Sequence, residues 1–94
     1  MKHKTLQNIS LIGRNIKEHL FSNSDLDKDF DWLILSIENL VPELTEAKVY
    51  PTTIKLFKDK SNFLKEEKSS PNNLMKLRTL INAQQFIVNG LNKL

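Results

Sequence analysis

Six apolar residues, Leu26, Phe30, Leu33, Ile37, Leu40 and Leu44, follow one another at steps of 4, 3, 4, 3 and 4. Steps of three and four keep side chains on one side of an α-helix, so this segment reads as a helix with a single apolar face. A face that long has to be covered, and the rest of the chain carries the means. Leu6, Ile9, Ile12, Ile16 and Leu20 repeat the spacing within a helix expected from about Thr5 to Phe21, weakened in the middle by Gly13. Ile54, Phe57 and Leu64 mark a third helix, and Leu74, Leu77, Leu80, Ile81, Ile87, Val88 and Leu91 a fourth, with Gly90 near its end.

The breaks between these stripes carry helix-end chemistry. Ser22-Asn23-Ser24 closes the first helix, and Ser24 or Asp25 can cap the second by accepting from its free backbone N–H groups. Pro42 lacks an N–H, so it must kink the second helix, end it near Val41, or start a further turn reaching Glu46. Pro51 holds Tyr50 extended, and Tyr50 is placed to staple the start of helix three. Ser69-Ser70-Pro71 is the clearest boundary, with Ser70 expected as the N-cap and Pro71 at the first helical position, where its missing N–H costs nothing. No strand alternation or internal repeat occurs. The expected fold is all-α, an antiparallel four-helix bundle spanning residues 1–94 as one domain. Its expected core includes Leu6, Ile9, Ile12, Ile16, Leu26, Phe30, Leu33, Ile37, Ile54, Phe57, Leu77 and Ile81.

Composition narrows the setting. With no cysteine, neither a disulfide framework nor a thiolate metal site can form. The basic start, Met1-Lys2-His3-Lys4-Thr5, is not followed by a long apolar run, and Trp32 to Leu35 is far too short to span a bilayer. A soluble, cytoplasmic protein is expected, and abundant Lys and Asn suit an A/T-rich bacterial or phage coding sequence. The net charge is +3, but it is segregated. Residues 25–46 carry seven acids against Lys28, a balance of −6, and residues 47–94 carry nine bases against three acids, a balance of +6. Early acids suit the dipole of helix two and basic neighbours suit its acidic flank, so the segregation reads first as a folding device. The sharper reading is a basic partner-binding surface on the C-terminal half, with Lys55, Lys58, Lys65 and Arg78 as its binding residues. Trp32 lies off the centre of the main stripe, which makes it either a lid over the core or a partner anchor.

Catalytic chemistry finds little support. Arg14-Asn15-Ile16-Lys17-Glu18-His19 resembles the Arg-x4-His ribonuclease motif of the HEPN helical-bundle family, in which Arg and His act together on the RNA backbone. Residues five apart lie about 140° apart around a helix, so such a site needs completion by a second chain. The family usually carries the motif late, whereas here it falls in the first helix. The acidic run Asp25 to Asp31 imitates a calcium loop but lacks its glycine and its closing glutamate, and Ser36 stands at the twelfth position. With two histidines and two glycines in the chain, neither a helical zinc pair nor a phosphate loop is expected. Lys55, Lys58, Lys60, Lys65 and Lys68, interleaved with Phe57 and Phe63, could contact phosphates, yet Arg14 and Arg78 are the only arginines. The chain therefore reads as non-catalytic, without metal or cofactor. A protein partner is expected first and nucleic acid second, and a homodimer is left open.

The second half carries a further pattern. Tyr50-Pro51-Thr52-Thr53-Ile54-Lys55-Leu56 opens a basic helix, and Ser70-Pro71 precedes Leu74, Leu77, Leu80 and Ile81. A proline-started third helix, a polar break and a leucine-rich fourth helix over residues 26–94 resemble the small immunity proteins that protect producers of pediocin-like (class IIa) bacteriocins. The resemblance implies a basic, cysteine-free antiparallel four-helix bundle. It also implies stoichiometric binding, from the cytoplasmic side, to a sugar-transport permease captured by the bacteriocin. Many relatives carry specificity in a longer tail after helix four, so no functional residue is carried over from them.

Overall fold

The computed structural model describes residues 3–21 and 25–94. It consists of four α-helices, α1 (His3–Glu18), α2 (Leu26–Glu46), α3 (Pro51–Glu67) and α4 (Asn73–Asn92), and no strand among the described residues. The expected all-α four-helix bundle is what forms. Its central element is α2, whose whole stripe from Leu26 to Leu44 is buried, with Phe30, Leu33, Ile37, Leu40 and Leu44 fully out of solvent. Asp25 caps α2 by accepting the Lys28 N–H at 3.1 Å. The other candidate cap, Ser24, lies outside the described residues. Pro42 stays inside α2, which runs through it to Glu46. What the proline removes is the donor that would have reached the Glu38 carbonyl.

Both α2 and α4 touch all three other helices, while α1 and α3 lie on either side of them without meeting. The α2–α4 contact is therefore the short diagonal of the bundle. On α4 the buried face is Lys76, Leu80, Ala83 and Ile87, a clean i, i+4, i+7, i+11 ladder. This corrects the expected core. Ile81 is exposed, Leu74 is exposed, and Leu77 is only half-buried at the edge of the cluster. Lys76 and Ala83 join Leu80 and Ile87 on this face, and the Lys76 ammonium lies 5.8 Å from the Phe30 ring centroid and reaches Asp27 at 2.7 Å. A long basic side chain can cover apolar surface in this way. The start of α4 also differs from expectation. Asn72 is the N-cap, accepting from Met75 N–H at 3.1 Å, and Ser70 and Pro71 remain in the connection.

On α1 the expected stripe holds at Ile9, Ile12 and Ile16 and changes at its ends. Thr5 and Ile16 are buried and Ile9 and Ile12 are half-buried, so the inward stripe is 5, 9, 12, 16. Leu6, about 100° further round, is exposed. Leu20 is exposed because the helix ends at Glu18, short of Phe21. That end is fixed from across the bundle, where the Gln84 amide donates to the carbonyls of Ile16 and His19 at 2.7 and 2.8 Å. On α3, Ile54, Phe57 and Leu64 are buried as expected, with Ser61 completing the row. Tyr50 is extended at φ −51, ψ 133, but its side chain is exposed and staples nothing.

The two glycines sit where helices approach closely. A Cβ on Gly13 would lie 2.9 Å from Leu91 Cδ1, and one on Gly90 would lie 2.8 Å from two carbons of the Phe57 ring. The first neighbour is the free end of a half-buried side chain, and the second is a ring locked in the core. Gly13→Ala should therefore be neutral or stabilising, since alanine is about 1 kcal/mol better in a helix interior. Gly90→Ala should cost about 1–2 kcal/mol net, because overpacking outweighs the same gain. Urea denaturation of the two variants checks this, and equal behaviour would contradict it.

Candidate functional site

Three basic residues of the C-terminal half are engaged by the acidic flank of α2. Lys76 pairs with Asp27 and Lys68 with Asp31, both at 2.7 Å, and Lys65 reaches Glu38 at 3.5 Å. Lys55 is bound to Asp59 on its own helix at 3.0 Å. Lys60 lies over the rings of Phe63 and Phe86, 5.3 and 4.6 Å from their centroids. Lys65, Lys68 and Lys76 thus close the bundle, and Lys55 is held within its own helix. The Lys76 ammonium and its direct hydrogen bond hold the Asp27 carboxyl below the usual carboxylate range. The Asp31 carboxylate, hydrogen-bonded to Lys68, holds that ammonium above the usual lysine value.

The structure brings some sequence-predicted binding residues together and separates others. Lys55, Lys58 and Lys65 occupy one edge of α3, at i, i+3 and i+10. Lys58 and Lys65 line a shallow groove of about 310 Å³ between α2 and α3, together with Glu38, Pro42, Ser61 and Asn62. This is the groove beside the proline. Ser61 Oγ is buried there and has no hydrogen-bond partner, and Lys58 has none of the ion pairs that hold its neighbours. Arg78 is exposed on another helix, α4, and does not line this groove. Trp32 faces the opposite flank of α2. Its half-buried indole stacks on the His19 ring, with centroids 3.9 Å apart and planes at 15°.

His19 is held on three sides. Besides Trp32 it meets the Phe21 ring edge-on at 4.9 Å, and its Nε2 lies 3.3 Å from Asp29 Oδ1. Arg14 is exposed and lines a different hollow with Gly13 and Lys17. Among the described residues no group of three His, Asp or Glu side chains is placed to hold a metal ion. Nor is any helix long and apolar enough to cross a membrane.

The largest concavity was not anticipated from the sequence. A cleft of about 750 Å³ opens at one end of the bundle, between the first turns of α1 and α3, the α2–α3 connection and the last turns of α4. Ile9, Val49, Phe57, Phe86 and Leu91 form its walls, and the exposed Leu6, Tyr50, Leu56 and Leu94 stand at its rim. The available signal was negative. Leu6 and Leu56 are apolar yet fall off the stripes that the core uses. Lys48, in the connection beside the cleft, adopts a left-handed φ of 59° that turns the chain from α2 into α3. No protein-family model matches this chain, and neither the curated proteins nor the solved structures contain a match to it.

The paired charges fix a stability window. Asp27 has a depressed pKa in the fold, so its contribution is complete above the ordinary carboxylate pKa and is lost as pH falls through the lowered value. Lys68 has a raised pKa, so its contribution is complete below the ordinary lysine pKa and is lost as pH rises through the raised value. Asp27→Asn should flatten the acid limb of a stability–pH profile and Lys68→Met the alkaline limb. Urea midpoints measured across pH test both, and profiles parallel to that of the parent would refute the assignment.

Proposed function

We propose that this chain is a small non-catalytic protein-binding module of the bacteriocin-immunity type. In this reading it acts in the cytoplasm on a membrane permease–bacteriocin complex and uses the α3 edge as its contact surface. The observation that carries the reading is the groove between α2 and α3. There the polar groups left unmatched within the bundle, the Lys58 ammonium and the Ser61 hydroxyl, lie beside the Lys65–Glu38 pair. Lys58 is exposed beside this groove and has no ion pair among the described residues, so its ammonium suits pairing with an acidic partner surface. The order of helices, the proline at the start of α3 and the absence of cysteine agree with the resemblance seen in the sequence.

Two other readings have weaker support. Nucleic-acid binding would draw on the lysines of α3, but Lys55 and Lys65 are paired with carboxylates, Lys68 likewise, and Phe57 is buried rather than free to stack. The ribonuclease reading would need His19 available to a phosphodiester, and that ring is sandwiched against Trp32 and bonded to Asp29.

Because exposed lysines contribute little to stability, Lys55→Glu combined with Lys58→Glu should leave the helical circular-dichroism spectrum and the urea midpoint almost unchanged. In a bacteriocin-sensitive host the parent chain should confer resistance to at least one member of a pediocin-like panel, and the double variant should lose most of it. No resistance to any member, together with salt-sensitive retardation of DNA or RNA by the purified protein, would replace this reading with the nucleic-acid one.

A further inference from the structure

The α1–α4 side of the bundle carries a second apolar row, separate from the core ladder of α4. Gln84 marks the direction of α1, because its amide bonds to the carbonyls of Ile16 and His19. Measured round α4 from Gln84, Leu77, Val88, Ile81 and Leu74 lie at about 20°, 40°, 60° and 80°, all turned the same way. Lys76, Leu80, Ala83 and Ile87 are turned the other way, toward the core. The row rises about 21 Å from Leu74 to Val88. Ending at Glu18, α1 covers only the C-terminal part of the row, and Leu74 remains 62% exposed and Ile81 38%.

Cations border this row on both sides. Arg78, at about 120° from Gln84, neighbours Leu74 and Ile81 on the helix surface, four residues after one and three before the other. On the α1 side, Arg14 and Lys17 line a groove of about 320 Å³ with Ser10, Val88 and Asn92. All three cations are exposed, and none forms an ion pair among the described residues. Acids do not compete for them. The α4 helix has none, and Glu18 of α1 is exposed and pairs with neither Arg14 nor Lys17. At the start of α2, Asp25 is engaged by Lys28 and Asp27 by Lys76.

We propose that the α1–α4 face docks an acidic amphipathic helix of a partner protein. The apolar stripe of that helix rests on Leu74, Ile81 and Val88, and acids on its two borders face Arg78 on one side and Arg14 and Lys17 on the other. Packed helices lie about 8–10 Å apart, so a third helix can settle in the groove between α1 and α4 and touch both. Apolar residues at helical spacing suit a helical occupant, and unpaired cations on both borders select one with acids flanking its apolar stripe. A second copy of this chain supplies no such helix. Its α4 would bring basic residues against Arg78, and its acidic α2 has its apolar face buried. This surface is separate from the α2–α3 groove, so its failure would leave the immunity reading where it stands.

Fluorescence anisotropy of two labelled probe peptides with the full chain tests the proposal. Both are alanine-based helices of about 18 residues with leucines at alternating steps of three and four. One carries glutamate on both borders of the leucine stripe, the other lysine. Saturable one-to-one binding is expected for the glutamate peptide and none for the lysine peptide. Leu74→Ala with Ile81→Ala should weaken the glutamate peptide by about tenfold while the circular-dichroism spectrum is retained. Arg78→Glu should weaken it by about fivefold, a readout that also serves if the double variant proves unstable. Absence of saturable binding, equal binding of the two peptides, or indifference to both variants would overturn the proposal. Self-association of the chain in sedimentation velocity that the double variant abolishes would overturn it in favour of a second copy. Binding to anionic phospholipid vesicles with none to either peptide would overturn it in favour of a membrane surface.

Discussion

The packing of α2 against α4 is the constraint on which the rest of the structure depends. One face of α2, from Leu26 to Leu44, is buried along its whole length, and Leu80, Ala83 and Ile87 meet it from α4. Ala83 is buried on that face, and each helix has a free flank on either side. The outer helices fill those flanks, α1 on one and α3 on the other, and neither touches the other. Burying a side chain such as Leu33 stabilises a fold by a few kcal/mol, against a total of roughly 5–15 kcal/mol for a domain, so the buried face of α2 supplies much of what holds the chain together. The same geometry leaves the cleft at the end where α1 and α3 begin.

Charge follows the packing. Asp27, Asp31 and Glu38 stand on α2 where the basic C-terminal half passes, and each receives a lysine. The Lys76–Asp27 pair is the most structural of these, because the lysine side chain is only 10% exposed and its stem replaces an apolar residue in the α4 ladder. A buried ammonium left without its partner is costly, so this contact helps to fix the rotation of α4 about its own axis. The consequence for function is a reduction of the free positive surface. Of the residues that the sequence marks as a basic patch, Lys58 and Arg78 are the ones with no carboxylate engaged, and they lie on different helices.

The sequence was most legible where one face is apolar and nothing competes with it. For α2 and α3 the spacing named the buried residues directly, and Asp25 and Pro51 marked where the helices begin. For α1 and α4 the stripe held at Ile9, Ile12 and Ile16 and at Leu80 and Ile87, and missed beside them. In α1 Thr5 took the inward place and Leu6 did not, and in α4 Lys76 and Ala83 did the same at the expense of Leu77 and Ile81. In α4 the buried lysine answers to an ion pair with Asp27 on α2, which periodicity cannot carry. Of the binding residues, Lys58 and Lys65 do share a groove, but Trp32 turns to the other side of α2 to stack on His19. The cleft left no positive signal at all, since its walls come from three separated segments and its rim from apolar residues that the core does not use.

Native-state hydrogen exchange tests the central claim most directly. If the α2–α4 diagonal holds the fold, amides from Phe30 to Leu40 and from Leu80 to Ile87 should exchange only through global unfolding. Amides of α1, the shortest helix with its stripe half-buried, should exchange through a partial opening at lower free energy. Protection of α1 equal to that of α2, or opening of α4 before α1, would contradict the account.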